Sequence, residues 1–190
     1  MGEYPAEYWS DQANELYLNG SYQEAAAAYD KAIGLDPSRA SFSNGRGLAL
    51  AALDRDEEAI ASFEKAIASD PTFFDAWFNK GMALARLNRF EQALVCLDKA
   101  TRLDQSNYDG WSNKGMVQAN AGLFDEALTS FERAILINPA DPRGWNNKGL
   151  VLHQLGRSAD ALASFDRALE LDPSYQLARD NRELILSDQS

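Results

Sequence analysis

One short segment recurs three times in this chain, and each copy begins 34 residues after the one before it. The copies span residues 76–82, 110–116 and 144–150, and each contains tryptophan, asparagine, lysine and glycine in the same order. A fixed period of this length is typical of stacked structural repeats, so it constrains the fold more than any single residue does.

The period defines a repeating unit that contains two helices. With Trp77 as position 4, five units follow one another without insertion: 6–39, 40–73, 74–107, 108–141 and 142–175. Position 8 is always alanine or glycine, and positions 20 and 27 are always alanine. Positions 4, 8 and 11 share one side of a first helix, and positions 17, 20, 24, 27 and 28 share one side of a second. Small residues let these sides approach closely, so each unit is predicted to be a helix hairpin.

The sequence also marks where these helices end. Glycine at position 15 predicts a break between the two helices in three units, at Gly20, Gly122 and Gly156. Proline at position 32 predicts the end of the second helix in four units, whereas the third unit has Gln105 there. Polar residues are predicted to cap the helix that follows each second helix: Ser38, Thr72, Ser106, Asp141 and Ser174.

These features resemble the tetratricopeptide repeat family over residues 6–175. Residues 161–173, which read ALASFDRALELDP, are especially close to the family pattern. The resemblance implies an all-α fold, an α-solenoid of antiparallel helix hairpins wound into a right-handed superhelix. Each hairpin leaves apolar surface that neighbouring units must cover. The second unit departs most, with Ser43 in place of the aromatic residue and Asp54 and Asp56 near the turn, and is expected to be the loosest.

Residues 176–190 begin a sixth first helix and then stop. Arg179 and Glu183 stand at positions 4 and 8, so the side that would pack against a further unit is polar. This segment is therefore predicted to be a C-terminal capping helix, with Leu177, Leu184 and Ile185 covering the fifth unit.

The composition disfavours several functional classes. The net charge of −11 opposes binding to nucleic acid and to anionic membranes, and it favours neutral or basic partners. Cys96 is the single cysteine, so no internal disulfide is possible, and a buried thiol is expected. One histidine and no phosphate-binding loop or metal-ligand cluster give no support to an enzyme, a cofactor or a metal. No signal peptide or membrane span is recognisable, which indicates a soluble, cytoplasmic protein.

In the tetratricopeptide repeat family, the side of the first helix opposite position 4 lines a concave groove that binds peptides. Position 6 on this side carries Asn79, Asn113 and Asn147. An amide both donates and accepts hydrogen bonds, so one asparagine per unit could pair with the backbone of an extended peptide. The pattern resembles the asparagine ladder in the repeat domain of O-linked N-acetylglucosamine transferase. The alternative is that these amides only bond to neighbouring helices.

An apolar strip is predicted beside the asparagines. It consists of Phe78 at position 5 and of Met82, Met116 and Leu150 at position 9. Methionine adapts to varied apolar partners, so the strip suits a binding surface, although packing between repeats would use the same residues.

The cationic set of the family's clamp for carboxylate tails is missing. The sequence therefore favours a non-enzymatic scaffold that binds a neutral or basic peptide or protein segment. The alternatives are a structural assembly subunit, which would use the convex face or the capping helix, and an accessory module that serves a catalytic partner. The oligomeric state is left open.

Overall fold

The computed structural model describes residues 4–188, apart from the side chain of Asp188. This range contains eleven α-helices and no strand. The helices are α1 (Ala6–Leu18), α2 (Tyr22–Leu35), α3 (Ala40–Ala51), α4 (Asp56–Ser69), α5 (Phe74–Arg86), α6 (Phe90–Leu103), α7 (Tyr108–Asn120), α8 (Phe124–Ile137), α9 (Pro142–Gln154), α10 (Ser158–Leu171) and α11 (Gln176–Asp188). The chain divides into two compact units, one with α1–α6 and one with α7–α11.

Consecutive helices pair into hairpins: α1 with α2, α3 with α4, α5 with α6, α7 with α8 and α9 with α10. The glycines predicted to break the helices do so, because Gly20, Gly122 and Gly156 adopt φ values of 78°, 78° and 73°. Asp54 and Asn88 occupy the corresponding turns with φ of 57°. Aspartate and asparagine tolerate this left-handed conformation better than most residues, which is why the turn does not require glycine.

The close approach of the two helices explains the glycine at position 8 of the second to fifth hairpins. A Cβ atom on Gly47 would lie 2.4 Å from Cε1 of Phe63, and one on Gly149 would lie 2.6 Å from Cε1 of Phe165. The alanines at positions 20 and 27 are fully buried in every unit. The prediction that small residues on both helices of a hairpin let them approach closely is therefore confirmed.

An aspartate, rather than proline alone, marks the end of the second helices. Oδ1 of Asp104 accepts hydrogen bonds from N and Oγ of Ser106, and α6 ends at Leu103 although no proline follows. Similar bonds join Asp36 to Ser38, Asp70 to Thr72 and Asp172 to Ser174.

The capping prediction is therefore wrong for Ser38, Thr72, Ser106 and Ser174, because each is bonded to the aspartate before it. The prediction is confirmed at Asp141, whose Oδ1 accepts from N of Arg143 at the start of α9.

The capping helix α11 packs against α10 and α9 through Ala178 and Ile185, which are 0% and 2% exposed. The expectation that Leu177 and Leu184 would also cover the fifth unit is wrong, since they are 60% and 56% exposed. Each lies one residue before a buried position, which rotates it by about 100° around the helix. Residues 189 and 190 of the predicted cap lie outside the described range.

Candidate functional site

Two rows of side chains run along one side of the second compact unit. Helix α9 contacts both α7 and α11, and each of these helices contributes one residue to each row. The amide row at position 6 comprises Asn113, Asn147 and Asn181. The apolar row at position 9 comprises Met116, Leu150 and Leu184. Residues three apart on a helix are neighbours on its surface, so the two rows lie side by side.

The apolar row is accessible along its whole length. Met116 and Leu150 are each 40% exposed, and Leu184 is 56% exposed. Leu184 was assigned from sequence to the packing of the cap, although it falls at position 9 when the repeat frame is continued into α11. Continuing the frame through the cap was the signal that could have identified it as a member of this row.

Members of the amide row differ in their hydrogen bonds. Asn181 Nδ2 donates to Asn146 Oδ1 at 2.9 Å, and Asn146 Nδ2 donates to Asn147 Oδ1 at 3.3 Å. Asn113 Nδ2 instead donates to the carbonyl of Asp109 in its own helix at 2.8 Å. Asn147 therefore accepts one bond, while its Nδ2 group donates to no protein atom within residues 4–188. An amide nitrogen with both hydrogens available is a donor for a ligand carbonyl.

In the first compact unit, the equivalent amide has a structural partner. Asn79 Nδ2 donates to Oδ1 of Asn44 at 3.1 Å, and Asn44 is only 7% exposed. This bond joins α5 to α3, so the alternative of bonding between neighbouring helices describes Asn79. Phe78 and Met82 are half-buried, and the ring of Phe78 stacks on Phe74 with centroids 5.7 Å apart.

Some asparagines at position 6 donate to a preceding first helix and others do not, and the residue 35 positions earlier in the chain differs between the two groups. Asparagine stands there before Asn79 and Asn181, at Asn44 and Asn146. Before Asn113 and Asn147 the corresponding residues are Phe78 and Ser112. Position 6 alone therefore does not determine the role of its amide.

Gly45 interrupts position 6 in the first compact unit because Tyr29 takes the space. A Cβ atom on Gly45 would lie 2.3 Å from the Tyr29 ring. The hydroxyl of Tyr29 donates to Oδ1 of Asn14, which stands at position 9 of its unit. Burial raises the pKa of Tyr29, so the hydroxyl keeps its proton and remains a donor near neutral pH. At position 6 of the second repeat, a hydrogen-bonded pair of tyrosine and asparagine thus stands where other repeats have an asparagine.

The lysines at position 7 are held in ion pairs. Lys80 Nζ lies 2.8 Å from Glu64 Oε1, and Lys148 Nζ lies 2.9 Å from Glu132 Oε1. Each pair joins a first helix to the second helix of the preceding unit. Pairing with an exposed carboxylate is consistent with a solvated helix edge rather than a row that grips a ligand.

The thiol of Cys96 behaves as the sequence indicated. It is 4% exposed, and burial raises its pKa. A buried thiol with a raised pKa is a poor nucleophile.

The described residues contain neither a cluster of metal ligands nor a helix that could span a membrane. Within residues 4–188 no group of three or more histidine, cysteine, aspartate or glutamate side chains is arranged to hold a metal ion. None of the helices described is both long enough and apolar enough to cross a bilayer.

Comparison with solved structures places the fold beside several repeat proteins. A crystal structure of MamA has a TM-score of 0.79 and 25% identity over 85% of this chain and 94% of that chain. YrrB, described as a TPR protein with an unusual peptide-binding site, has a TM-score of 0.78 and 28% identity over 92% of this chain and 90% of its own. MamA from residue 41 onward of Desulfovibrio magneticus RS-1 has a TM-score of 0.82 over 90% of this chain and 96% of that chain, and at 18% identity it shows the fold alone.

Comparison of sequences assigns the family. No curated protein matches this chain. Residues 10–73 and 112–175 match one description of the tetratricopeptide repeat, and residues 74–107 match a second description of the same repeat. In fold class the chain is the predicted all-α solenoid of helix hairpins. The chain belongs to the tetratricopeptide repeat family.

Proposed function

We propose that this chain is a non-enzymatic protein-interaction scaffold that binds an extended peptide segment along the amide row and the apolar row. It acts through five repeats, 6–39, 40–73, 74–107, 108–141 and 142–175, with a capping helix at 176–190. The single observation that carries the proposal is the apolar row, in which Met116, Leu150 and Leu184 stay exposed on α7, α9 and α11. A row of exposed apolar side chains flanked by polar groups is typical of an interaction surface.

The amide row would supply contacts to the peptide backbone. Helices in contact lie about 8–10 Å apart, and an extended peptide rises about 3.3 Å per residue. One asparagine per repeat therefore meets about every third residue of the ligand. Asn147 offers its Nδ2 group to a backbone carbonyl, and Asn113 offers Oδ1 to a backbone N–H. In the first compact unit, Asn79 and Met82 occupy the repeat positions of the two rows, and Phe78 stands beside them at position 5.

Charge defines the class of ligand. Asp75 and Asp109 at position 2 are exposed, and the chain as a whole carries a net charge of −11. We therefore infer a neutral or basic segment of a protein partner. The description of YrrB as a TPR protein with an unusual peptide-binding site supports a peptide as the ligand. Cytoplasmic localisation remains a prediction from the sequence.

A library of displayed peptides tests the binding surface directly. Binders selected on the unaltered protein are compared with the variant Leu150→Glu, which puts a charge into the apolar row. The matched control is Leu136→Glu on α8, since Leu136 is 70% exposed and belongs to neither row. The proposal expects most binders to be lost with Leu150→Glu and kept with Leu136→Glu. Equal retention by both variants would remove the apolar row from the site.

A structural assembly subunit is the second candidate. It is favoured by Leu177 and Leu184, which leave two large apolar side chains exposed on the capping helix. Light scattering separates the two functions. An oligomer that persists on dilution and dissociates in Leu177→Glu favours assembly, whereas a monomer that binds displayed peptides favours the scaffold.

A further inference from the structure

A second surface lies on the other side of α5 from Asn79. Two residues of helical rotation separate Asn79 from Trp77, which places them about 200° apart around the helix. Two open cavities of about 300 and 310 Å³ meet at Trp77 and Val95. Val95 on α6 is 67% exposed. The Trp77 surface consists of Trp77, Val95, Lys99 and Arg102.

Both cavities combine apolar residues with charged ones. Ile60 and Leu84 add apolar surface to the first cavity, where the charged residues are Glu64, Lys80 and Arg89. The second cavity is bordered by one acidic residue, Asp98, and by two basic ones, Lys99 and Arg102. An indole offers a broad apolar face, and adjacent cations attract carboxylates. This combination suits a ligand that carries both an apolar side chain and negative charge.

The indole of Trp77 differs from the other tryptophans at position 4. Lys31 lies 3.8 Å from the ring centroid of Trp9, Arg133 lies 5.7 Å from that of Trp111, and Lys148 lies 5.8 Å from that of Trp145. Over the part of the chain that the structure describes, no cation lies over the ring of Trp77. Its face is therefore available to a ligand.

The local charge opposes that of the chain. Residues 74–107 carry five basic and four acidic side chains, whereas 6–39, 40–73 and 108–141 are each net negative. Lys99 and Arg102 form no ion pair with any residue between 4 and 188. A pair of unneutralised cations beside an apolar cavity is a site of charge complementarity for an acidic segment.

The fifth repeat provides an internal comparison. Its cavity of about 300 Å³ is built around Trp145 in the same register, but Ala163 replaces Val95. Glu170 stands where the third repeat has Arg102, and Glu170 Oε2 accepts from Nη1 of Arg167 at 2.7 Å. The repeat frame thus provides the cavity in both places, whereas the larger apolar residue and the free cations occur in the third repeat.

We propose that the Trp77 surface docks an acidic segment of a protein partner that carries a large apolar side chain. The apolar side chain packs on the indole of Trp77 and on Val95, while neighbouring carboxylates bind Lys99 and Arg102. This surface is separate from the amide and apolar rows, and it selects the opposite charge. The chain would then hold two different segments at once, one basic or neutral and one acidic.

A short fluorescein-labelled peptide of alternating glutamate and leucine tests the proposal by fluorescence anisotropy. Binding to the intact chain is expected to weaken roughly tenfold or more in the double variant Lys99→Glu/Arg102→Glu, because each charge-assisted contact becomes a repulsion. Val95→Glu is expected to weaken it similarly. The matched control Ala163→Glu, at the same position of the fifth repeat, is expected to bind like the unaltered chain. Circular dichroism verifies that each variant is folded.

Several results would overturn the proposal. They are an absence of binding to the unaltered chain, an equal loss with Ala163→Glu, or full affinity in the double variant. Displacement of the peptide by a single-stranded DNA oligonucleotide of higher affinity would assign the surface to nucleic acid instead. If Leu150→Glu lost the acidic peptide, the peptide would bind at the apolar row and not at the Trp77 surface. This variant therefore distinguishes a failure of the present proposal from a failure of the proposed function.

Discussion

Asn79 and Asn147 occupy the same repeat position, yet their surroundings give them different chemistry. Asn79 bonds to buried Asn44 on the preceding first helix, and this bond holds two repeats together. Asn147 accepts only from its neighbour Asn146, so its Nδ2 group is available. The difference shows that a repeat frame predicts where a side chain lies, whereas the residue facing it in the preceding repeat determines which bond it makes.

The prediction with the largest expected effect tests whether a change in one repeat affects only that repeat and its neighbours. Replacement Ala93→Leu overpacks a fully buried position in the third repeat and is expected to cost about 1–3 kcal/mol. Because repeats contact mainly their neighbours, hydrogen exchange should rise around residues 74–107 and in the adjoining repeats. The control Val95→Leu adds a similar side chain at an exposed position and should change little. Uniform loss of protection along the chain would mean that repeats do not behave separately.

The second prediction addresses the two asparagines themselves. Asn79→Ala leaves Oδ1 of buried Asn44 without its donor, which is expected to lower the free energy of unfolding by about 1–2 kcal/mol. Asn147→Ala should lower it by less, because the bond that Asn147 accepts from buried Asn146 is longer, at 3.3 Å, and lies within one helix. Urea denaturation of the two variants measures both values. Equal losses would show that the two amides are equally structural.

The smallest effect concerns the turns that follow the second helices. Hydrogen bonds from Ser106 lower the pKa of Asp104, and Thr72 does the same for Asp70. A lowered pKa in the folded state stabilises the fold above the unfolded value of about 4, and this stability is lost as the pH falls through the folded pKa. In the fourth repeat Asn138 takes the place of this aspartate and has no titratable side chain, and the titratable Asp141 bonds instead to Arg143 at the start of α9.

Hydrogen exchange between about pH 5 and pH 3 provides the measurement for these turns. The amides of Thr72 and Ser106, which donate to Asp70 and Asp104, should lose protection on acidification, relative to the intrinsic exchange rate, before the amide of Ala140, which donates to Oδ1 of Asn138. A turn at Asn138 that opened first would contradict this account.

Much of the fold follows from the sequence because repeated small residues leave few ways to pack. Alanine at positions 20 and 27 and glycine at position 8 predicted the hairpins, and the structure agrees at each of them. The error at Ser38, Thr72, Ser106 and Ser174 arose because a serine or threonine can cap a helix or close a turn with an aspartate two residues before it. Local spacing does not distinguish the two bonding patterns.

The candidate site was less predictable for a related reason. Position 6 identified Asn79, Asn113 and Asn147, but their partners depend on residues 35 positions away in the chain. Leu184 was missed because a leucine in a short terminal helix suits core packing as well as surface exposure. The exposed fraction of such a residue depends on the rotation of α11 about its axis, which the buried Ala178 and Ile185 determine.

The most direct test of the central claim is the affinity of Asn113→Ala and Asn147→Ala for several extended peptides of unrelated sequence, selected on the unaltered protein. Each lost hydrogen bond is worth about 0.5–1.5 kcal/mol, so each variant is expected to bind about two- to tenfold more weakly while remaining folded. The loss should be similar for all peptides, because the contact is to backbone. Unchanged affinity in the variant that carries both substitutions would contradict the account. Losses that depend on the side chains of each peptide would also contradict it, and they would indicate that the apolar row selects the ligand.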